Sequence, residues 1–485
     1  MCIQLYTSRL VLKILGVEDF GIYNVVGGIV AMFAFLNASL SSSTQRYITY
    51  YLGKGNNKDV QEVFSNCVFI HAIIALAIVV LSETIGLFFL YHKMVIPEGR
   101  MIAAFWVFQM SILTTVILIL SYPYIATIIA YEKISAFAYI SIFEAFLKMS
   151  IVFVLLFVNA DNLILYSILF VITQIIVQLL YTHYCNKHFE VTKLVYKLNS
   201  GLFKSMFSFI GWNLWGGLSN IFYTQGLNIL LNIFFGPAVN AARALAVQVQ
   251  GAVQQFATNL QTAINPQITK SYASEDLETM HSLVFKSTRY TFFLLMTISL
   301  PLILKTELIL TLWLSTVPEW TVAFVRLMVC IVFVDSLAGP LMISSAATGN
   351  VKLYQTVIGG TMLLILPFSY IFLKLGYSPV VVFIVHLAFC LITFVLRLFI
   401  VRPMIRLSLR EYFVSALKPC IKAGFISVLL SFVLFYILDD TVINGFIIII
   451  SSILIAIVSV YFIGLSANEK GIIRQKIYSL NHKGK

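Results

Sequence analysis

The segment 237–270 has the length of a membrane-spanning helix, yet it is rich in side chains that hydrogen-bond or carry charge. Between Asn240 and Asn265 these residues are Arg243, Gln248, Gln250, Gln254, Gln255, Asn259 and Gln261. At helical spacing one broad stripe contains Asn240, Arg243, Gln248, Gln254, Gln255, Gln261 and Asn265. Lipid contact would cost about 1 to 3 kcal/mol for each unpaired amide and about 2.5 to 3.5 kcal/mol for a central arginine. The stripe is therefore predicted to be shielded from lipid.

Two arrangements would shield this stripe. The amides could join neighbouring helices of a packed bundle by hydrogen bonds, or they could line a water-filled cavity for a polar cargo. Bonding between helices usually takes one or two such residues per helix, so the number of amides favours the cavity.

Ionisable residues at membrane depth are candidates for function by default. They are Arg9, Lys13, Glu83, Glu144, Lys148, Arg243, Arg326 and Asp335. Glu144 and Lys148 stand four residues apart and are expected to pair, and Arg326 is expected to extend to the membrane interface. Asp335 is a candidate for proton or ion coupling, with a paired structural aspartate as the alternative.

Three of these residues, Arg9, Lys13 and Arg243, are cationic and have no obvious acidic partner in the sequence. A cationic cavity requires an anionic ligand. Phosphate is the usual match, because arginine binds it through two parallel hydrogen bonds and lysine binds it as a point charge. The sequence therefore favours a phosphate-bearing cargo.

Several kinds of catalytic site are missing from the sequence. There is no G-x-x-x-x-G-K-[ST] loop, so ATP hydrolysis is not expected. Metal ligands do not occur at paired spacing, and no segment between the apolar runs is long enough for a soluble catalytic domain. The chain is predicted not to be an enzyme and to need no cofactor or metal.

The elements that carry these residues follow from the composition. Apolar residues make up 60% of the chain and charged residues 11%, as is typical of a polytopic membrane protein. The apolar runs are long and do not alternate with period two, which indicates an all-α fold with about 14 transmembrane helices. The predicted spans are 1–15, 20–44, 63–91, 101–130, 136–158, 163–184, 205–235, 238–265, 284–312, 321–346, 353–374, 379–401, 420–438 and 443–465. The first is short for a bilayer.

Lys and Arg concentrate in one set of alternate loops and in the C-terminal tail. The opposite set holds only Lys93, Arg100, Lys305 and Lys374. The positive-inside rule makes the basic set cytoplasmic, and this set includes Arg289 and Arg397, both assigned to loops. The net charge of +12 then reflects topology and attraction to lipid headgroups, without nucleic acid. A multi-pass membrane protein with a cytoplasmic C-terminus is predicted.

A weak internal similarity divides the chain. LYTSRLVLKILGVEDFGIY, beginning at Leu5, matches FYTQGLNILLNIFFGPAVNAA, beginning at Phe222, and places Gly16 on Gly236. It predicts two six-helix bundles, 1–184 and 205–403, with a cytoplasmic linker at 185–204 and with two extra helices and a basic tail at 404–485. An even number of helices per half predicts a parallel pseudo-two-fold repeat with a cavity between the halves.

The similarity also requires a polar stripe in the second helix, and Asn24 and Gln45 lie on one. Asn228 belongs to a further polar set in the seventh helix. Polar residues thus concentrate in the first, second, seventh and eighth helices, which are predicted to enclose one chamber.

The segment 5–55, LYTSRLVLKILGVEDFGIYNVVGGIVAMFAFLNASLSSSTQRYITYYLGKG, resembles the opening of polysaccharide (O-antigen or capsule repeat unit) flippases of the multidrug/oligosaccharidyl-lipid/polysaccharide exporter superfamily. The layout of two six-helix bundles plus two helices is similar over the whole chain. The resemblance implies alternating-access transport of an undecaprenyl-pyrophosphate-linked oligosaccharide from the cytoplasmic to the periplasmic leaflet of a bacterial inner membrane, for surface polysaccharide biosynthesis. It further implies that Arg9 and Lys13 meet the pyrophosphate, and that membrane lipids and polysaccharide polymerase machinery are partners.

Two other functions are weighed against this one. A cation-coupled multidrug exporter would share the fold, but drug cations favour acidic cavity residues and the first helix has none. A membrane enzyme such as a polysaccharide polymerase would need clustered His, Asp or Arg on a large loop, and no such cluster is present.

Overall fold

The computed structural model describes residues 10–11, 14–16, 19, 22–23, 26, 34–92, 96–97, 99–158, 161–195, 199–314, 317–439, 441–471 and 475, and within these ranges it is helical and contains no strand. In chain order the helices are α1 Ala34–Gly53, α2 Asn57–His92, α3 Met101–Ala130, α4 Ile134–Phe157, α5 Asn162–His188, α6 Ser200–Phe235, α7 Pro237–Ala273, α8 Leu277–Leu304, α9 Thr306–Trp313, α10 Thr321–Ala347, α11 Lys352–Lys374, α12 Val380–Met404, α13 Leu409–Ile437 and α14 Val442–Gly464. A single 3-10 turn, Glu190–Thr192, follows α5.

Ten of the helices in the described ranges are long and apolar enough to cross a membrane. α6 and α7, with 36 and 37 residues, exceed the roughly 20 residues that cross a bilayer but are not among the ten, and in α7 the polar stripe is the reason. The predicted fold class, an all-α polytopic membrane protein, is confirmed.

Most predicted spans agree with the helices to within a few residues, and 101–130 agrees at both ends. The end of the span 20–44 is wrong, because α1 continues to Gly53; a helix need not stop where its apolar part does. The span 284–312 is also wrong as one helix, since it breaks at Lys305 into α8 and α9. The first span lies largely outside the described residues.

The chain forms two compact units, Met1–Gly217 and Leu218–Lys485, which meet in sequence within α6. In the first unit α3 packs against α1, α2 and α5; in the second, α10 packs against α7, α8 and α12. Rings of Phe324 and Phe383, both fully buried, lie 4.3 Å apart and join α10 to α12. The bundle boundaries predicted at 185–204 and at 403 stay predictions.

An arginine at the start of α3 ties together three segments of the first unit. Arg100 donates to Asp19 at 2.9 and 2.5 Å and to Asp161 at 2.5 and 3.2 Å. Asp161 also caps α5 by accepting from two backbone amides. Burial opposes its ionisation, but these hydrogen bonds and the Arg100 charge outweigh burial and hold the pKa of Asp161 below its ordinary value.

A lowered carboxyl pKa stabilises the fold above the ordinary Asp pKa of about 3.9, and this stabilisation is lost as the pH falls through the lowered folded-state value. We therefore expect Arg100→Gln to lower the unfolding free energy by about 1 to 2 kcal/mol at neutral pH. The difference from wild type should shrink as the pH falls below about 4. Thermal unfolding in detergent at a series of pH values measures both effects. Lys133→Gln, which removes an exposed cation, is the control, and an equal effect in that variant would contradict the role of Arg100.

Candidate functional site

Arg243 is the cation around which the second unit's polar interior is arranged. It is 5% exposed. Its guanidinium donates through Nη1 to the side-chain oxygen of Asn228 and through Nη2 to the carbonyl of Thr224 at 3.1 Å. Asn240 donates to the Asn228 carbonyl at 3.1 Å. All these acceptors are neutral, and among the described residues no carboxylate forms an ion pair with Arg243.

The turn between α6 and α7 brings these groups together. Gly236 joins the two helices with a φ of 78°, in the left-handed region where glycine carries no steric penalty. The chain therefore reverses within one residue. The end of α6, with Thr224 and Asn228, lies beside the first turns of α7.

Asp335 on α10 and Arg397 on α12 form an ion pair with a separation of 3.8 Å. The Asp335 side chain is 35% exposed and that of Arg397 is 13% exposed, so the pair is only partly withdrawn from solvent. Arg397 had been assigned to a cytoplasmic loop, and that assignment is wrong. Arg289 is corrected in the same way: it lies within α8 and donates to Glu469 at 2.6 Å.

Aromatic and imidazole groups complete the interior cluster. The ring of Tyr223 on α6 packs edge-on against His386 on α12, with centroids 5.3 Å apart. Tyr223 directly precedes Thr224, the carbonyl acceptor of Arg243, so this ring contact brings α12 beside the Arg243 group. Five buried atoms of the cluster have no hydrogen-bond partner among the described residues: Arg243 Nε, Arg397 Nε, His386 Nε2, Asn240 Oδ1 and, on α11, Tyr354 Oη.

The cluster therefore has an excess of positive charge and of donors. Two arginines face one aspartate, and three of the five unpartnered atoms carry an N–H or O–H. An unmet buried donor costs about 1 to 3 kcal/mol. A group rich in acceptor oxygens and negatively charged, such as phosphate, would meet both requirements.

The amide stripe of α7 does not point into the helix packing. The buried residues of α7 include Ala242, Ala246, Val253 and Ala257. Gln248, Gln255 and Asn259 are exposed on the second unit and Gln254 is half-buried. Gln255 donates to Asn259 at 2.8 Å, whereas Gln261 donates to the carbonyl of Ser336 on α10 at 3.1 Å. Bonding between helices thus accounts for Gln261 but not for the three exposed amides.

The remaining predicted residues divide into three groups. Arg9, Lys13 and Asn24 lie outside the described residues, and Gln45 is half-buried on α1 in the first unit. Asn228 and Arg243 are in contact, as given above. The assignment of all these residues to a binding cavity stays a prediction.

One expectation about intramembrane charges is confirmed, because Lys148 donates to Glu144 at 2.6 Å. Arg326 is exposed and donates through Nε to the carbonyl of Ile303 at 3.1 Å, and its extension to the membrane interface stays a prediction.

Sequence reasoning missed Tyr223, His386, Arg397 and Tyr354. A signal existed for His386, which lies in the middle of an apolar span. Arg397 lies near a predicted helix end, where a cation is read as a loop residue. Only the packing of α12 against α10 distinguishes a buried ion pair from an interfacial charge.

No protein-family model matches the sequence, and no curated protein matches it. Solved structures share its fold. A MATE transporter in the straight conformation aligns with a TM-score of 0.70 and 11% identity, over 83% of this chain and 92% of the other. An outward-facing multidrug resistance MATE family transporter of the MOP superfamily aligns with a TM-score of 0.66 and 11% identity, over 84% and 92%.

A third structure is a MOP superfamily transporter from Pyrococcus furiosus, in which reverse polarity of the binding pocket suggests a different function. It aligns with a TM-score of 0.68 and 14% identity, over 84% of this chain and 93% of the other. The chain is thus a polytopic membrane protein with the fold of MATE transporters of the MOP superfamily.

The ion pair gives a test of the cluster. Removing one partner of a buried pair leaves the other uncompensated. Because Asp335 is partly exposed, we expect Asp335→Leu and Arg397→Leu each to cost about 1 to 3 kcal/mol. The double variant should be more stable than the sum of the single effects by at least about 1 kcal/mol. Thermal unfolding of the purified variants completes the cycle, and additive losses would show that the two side chains do not interact.

Proposed function

We propose that this protein is a transporter that moves an undecaprenyl-pyrophosphate-linked oligosaccharide from the cytoplasmic to the periplasmic leaflet of a bacterial inner membrane by alternating access. The fold of MATE transporters supports a transport function. The nature of the cargo rests on the chemistry of the second unit's interior.

Arg243 is the observation that carries the proposal. A guanidinium buried among membrane helices is expected to have an anionic partner, and the described part of the chain supplies only neutral acceptors. The diphosphate of a lipid-linked sugar carries negative charge and many acceptor oxygens, which the unpartnered N–H groups of Arg243 and Arg397 would meet. By resemblance, Arg9 and Lys13 would add further cations.

The exposed amides of α7 suit the other part of this cargo. Amide groups both donate and accept hydrogen bonds, so Gln248, Gln254, Gln255 and Asn259 would bind the hydroxyls of an oligosaccharide. Facing lipid instead, the amide groups without an internal hydrogen bond would each be unpaired at a cost of about 1 to 3 kcal/mol. We propose that they line the polar route of the sugar.

Asp335 is the residue that favours the alternative, a cation-coupled multidrug exporter. An intramembrane carboxylate binds protons, cations or cationic drugs. We propose that Asp335 takes up the coupling proton or ion once Arg397 has turned from it to the phosphate of the cargo. The test compares how export depends on the ion gradient in wild type and in Asp335→Asn. If the variant shows the same dependence, another residue carries the coupling.

Arg243→Ala should abolish polysaccharide export, because the cargo phosphate would lose a charged contact worth at least about tenfold in affinity. Arg243→Lys should retain part of the activity, since it keeps the charge and loses the two-pronged geometry. The measurement is surface polysaccharide in a deletion strain that expresses each variant. Arg326→Ala, which removes an intramembrane arginine outside the cluster, is the matched control.

Analysis of lipids in the deletion strain separates the two functions. Undecaprenyl-linked oligosaccharide that accumulates on the inner leaflet supports the flippase. Unchanged lipid intermediates together with new drug sensitivity support the exporter. Normal surface polysaccharide in Arg243→Ala, at wild-type protein level in the membrane, would remove Arg243 from the mechanism.

A further inference from the structure

One face of α12 is an apolar stripe that ends in two arginines. Ile384, Leu391, Val395 and Phe399 are between 49% and 59% exposed and recur at helical spacing. Arg402 lies on the same face, three residues after Phe399, and Arg406 follows just past the end of the helix. α12 is long and apolar enough to cross a membrane, and an exposed apolar stripe on such a helix is suited to contact with lipid chains.

The two arginines border a recess at the end of this stripe. The recess has a volume of about 530 Å³ and is lined by Phe399, Arg402, Pro403, Arg406 and Leu407. Neither guanidinium forms a hydrogen bond, ion pair or ring contact within the described part of the chain. The recess thus combines two unpaired cations with an apolar wall, and no acidic residue lines it.

The backbone at Arg406 is unfavourable for an arginine. Its φ is 52°, at the position just past the helix end where glycine is usual. The amide of Leu407 donates to the carbonyl of Arg402 at 2.9 Å and closes the turn. Arg406 thus occupies a position where glycine would be less strained, and no contact of its side chain with the described residues accounts for the arginine.

We infer that this recess binds the phosphate of an anionic phospholipid, with Arg402 and Arg406 on the phosphate and an acyl chain along the stripe. The stripe from Phe399 to Ile384 rises about 22 Å, more than the roughly 15 Å of one hydrocarbon leaflet, so a whole chain can lie against it. Basic recesses between or beside membrane helices bind such headgroups. The site is separate from the cargo cluster and does not depend on the proposed function.

The test measures binding of phosphatidylglycerol to the purified full-length protein in detergent by native mass spectrometry, with phosphatidylcholine as the neutral-headgroup lipid. Arg402→Gln/Arg406→Gln should weaken phosphatidylglycerol binding about 30-fold, corresponding to about 1 kcal/mol per arginine. Phosphatidylcholine binding should not change. Arg410→Gln/Lys418→Gln removes two exposed cations nearby that do not line the recess, and it should leave binding within about twofold.

Arg406→Gly separates binding from folding. Glycine suits the left-handed backbone, so this variant should be at least as stable in thermal unfolding, yet it should bind phosphatidylglycerol about fivefold more weakly. Equal weakening in both double variants would overturn the inference, since only overall charge would then matter. Inorganic phosphate that displaces phosphatidylglycerol at millimolar concentration would also overturn it, because a free phosphate would then be the ligand.

Discussion

A buried guanidinium within a membrane protein must be matched by negative charge or by enough acceptors, because lipid provides neither. Arg243 is held by an amide oxygen and a backbone carbonyl on α6, which satisfy part of its hydrogen-bonding capacity and none of its charge. The positions of Asn228, Thr224 and the Gly236 turn all serve to hold this one cation in place. The anionic cargo that we propose follows from that imbalance.

The contact between Asp335 and Arg397 places a negative charge within the positively charged interior cluster of the second unit. At 3.8 Å and with one third of the aspartate exposed, the pair is weaker than a close, fully buried one. Arg397 could therefore be shared between the carboxylate and a bound phosphate. The pair leaves a titratable carboxylate beside the arginines of the interior cluster.

The same chain uses arginine in three different ways. Arg100 and Arg289 form ion pairs with carboxylates and join helix ends and the C-terminal segment. Arg243 and Arg397 lie in the polar interior of the second unit. Arg402 and Arg406 lie at the end of an apolar stripe, and their side chains have no partner among the residues that the structure describes. Residue type alone does not separate these roles, because they depend on burial and on the neighbouring element.

The sequence by itself determined the fold class, most helix positions, the pairing of Glu144 with Lys148 and the polar character of α7. These depend on composition and on short-range periodicity, which are local properties of the chain. Two features were not predicted: the division of the span 284–312 at Lys305 and the continuation of α1 to Gly53. An apolar run predicts which residues contact lipid, but it does not mark the ends of a helix.

Only the tertiary structure decided which charges meet. It placed Arg397 against Asp335, His386 against Tyr223 and Arg289 against Glu469, contacts between residues far apart in the chain. It also showed that the α7 amides lie on the exposed side of that helix, whereas Gln261 bonds to α10. These facts depend on which helices pack together and on their rotation about their axes. A sequence pattern restricts such packing, but it does not specify it.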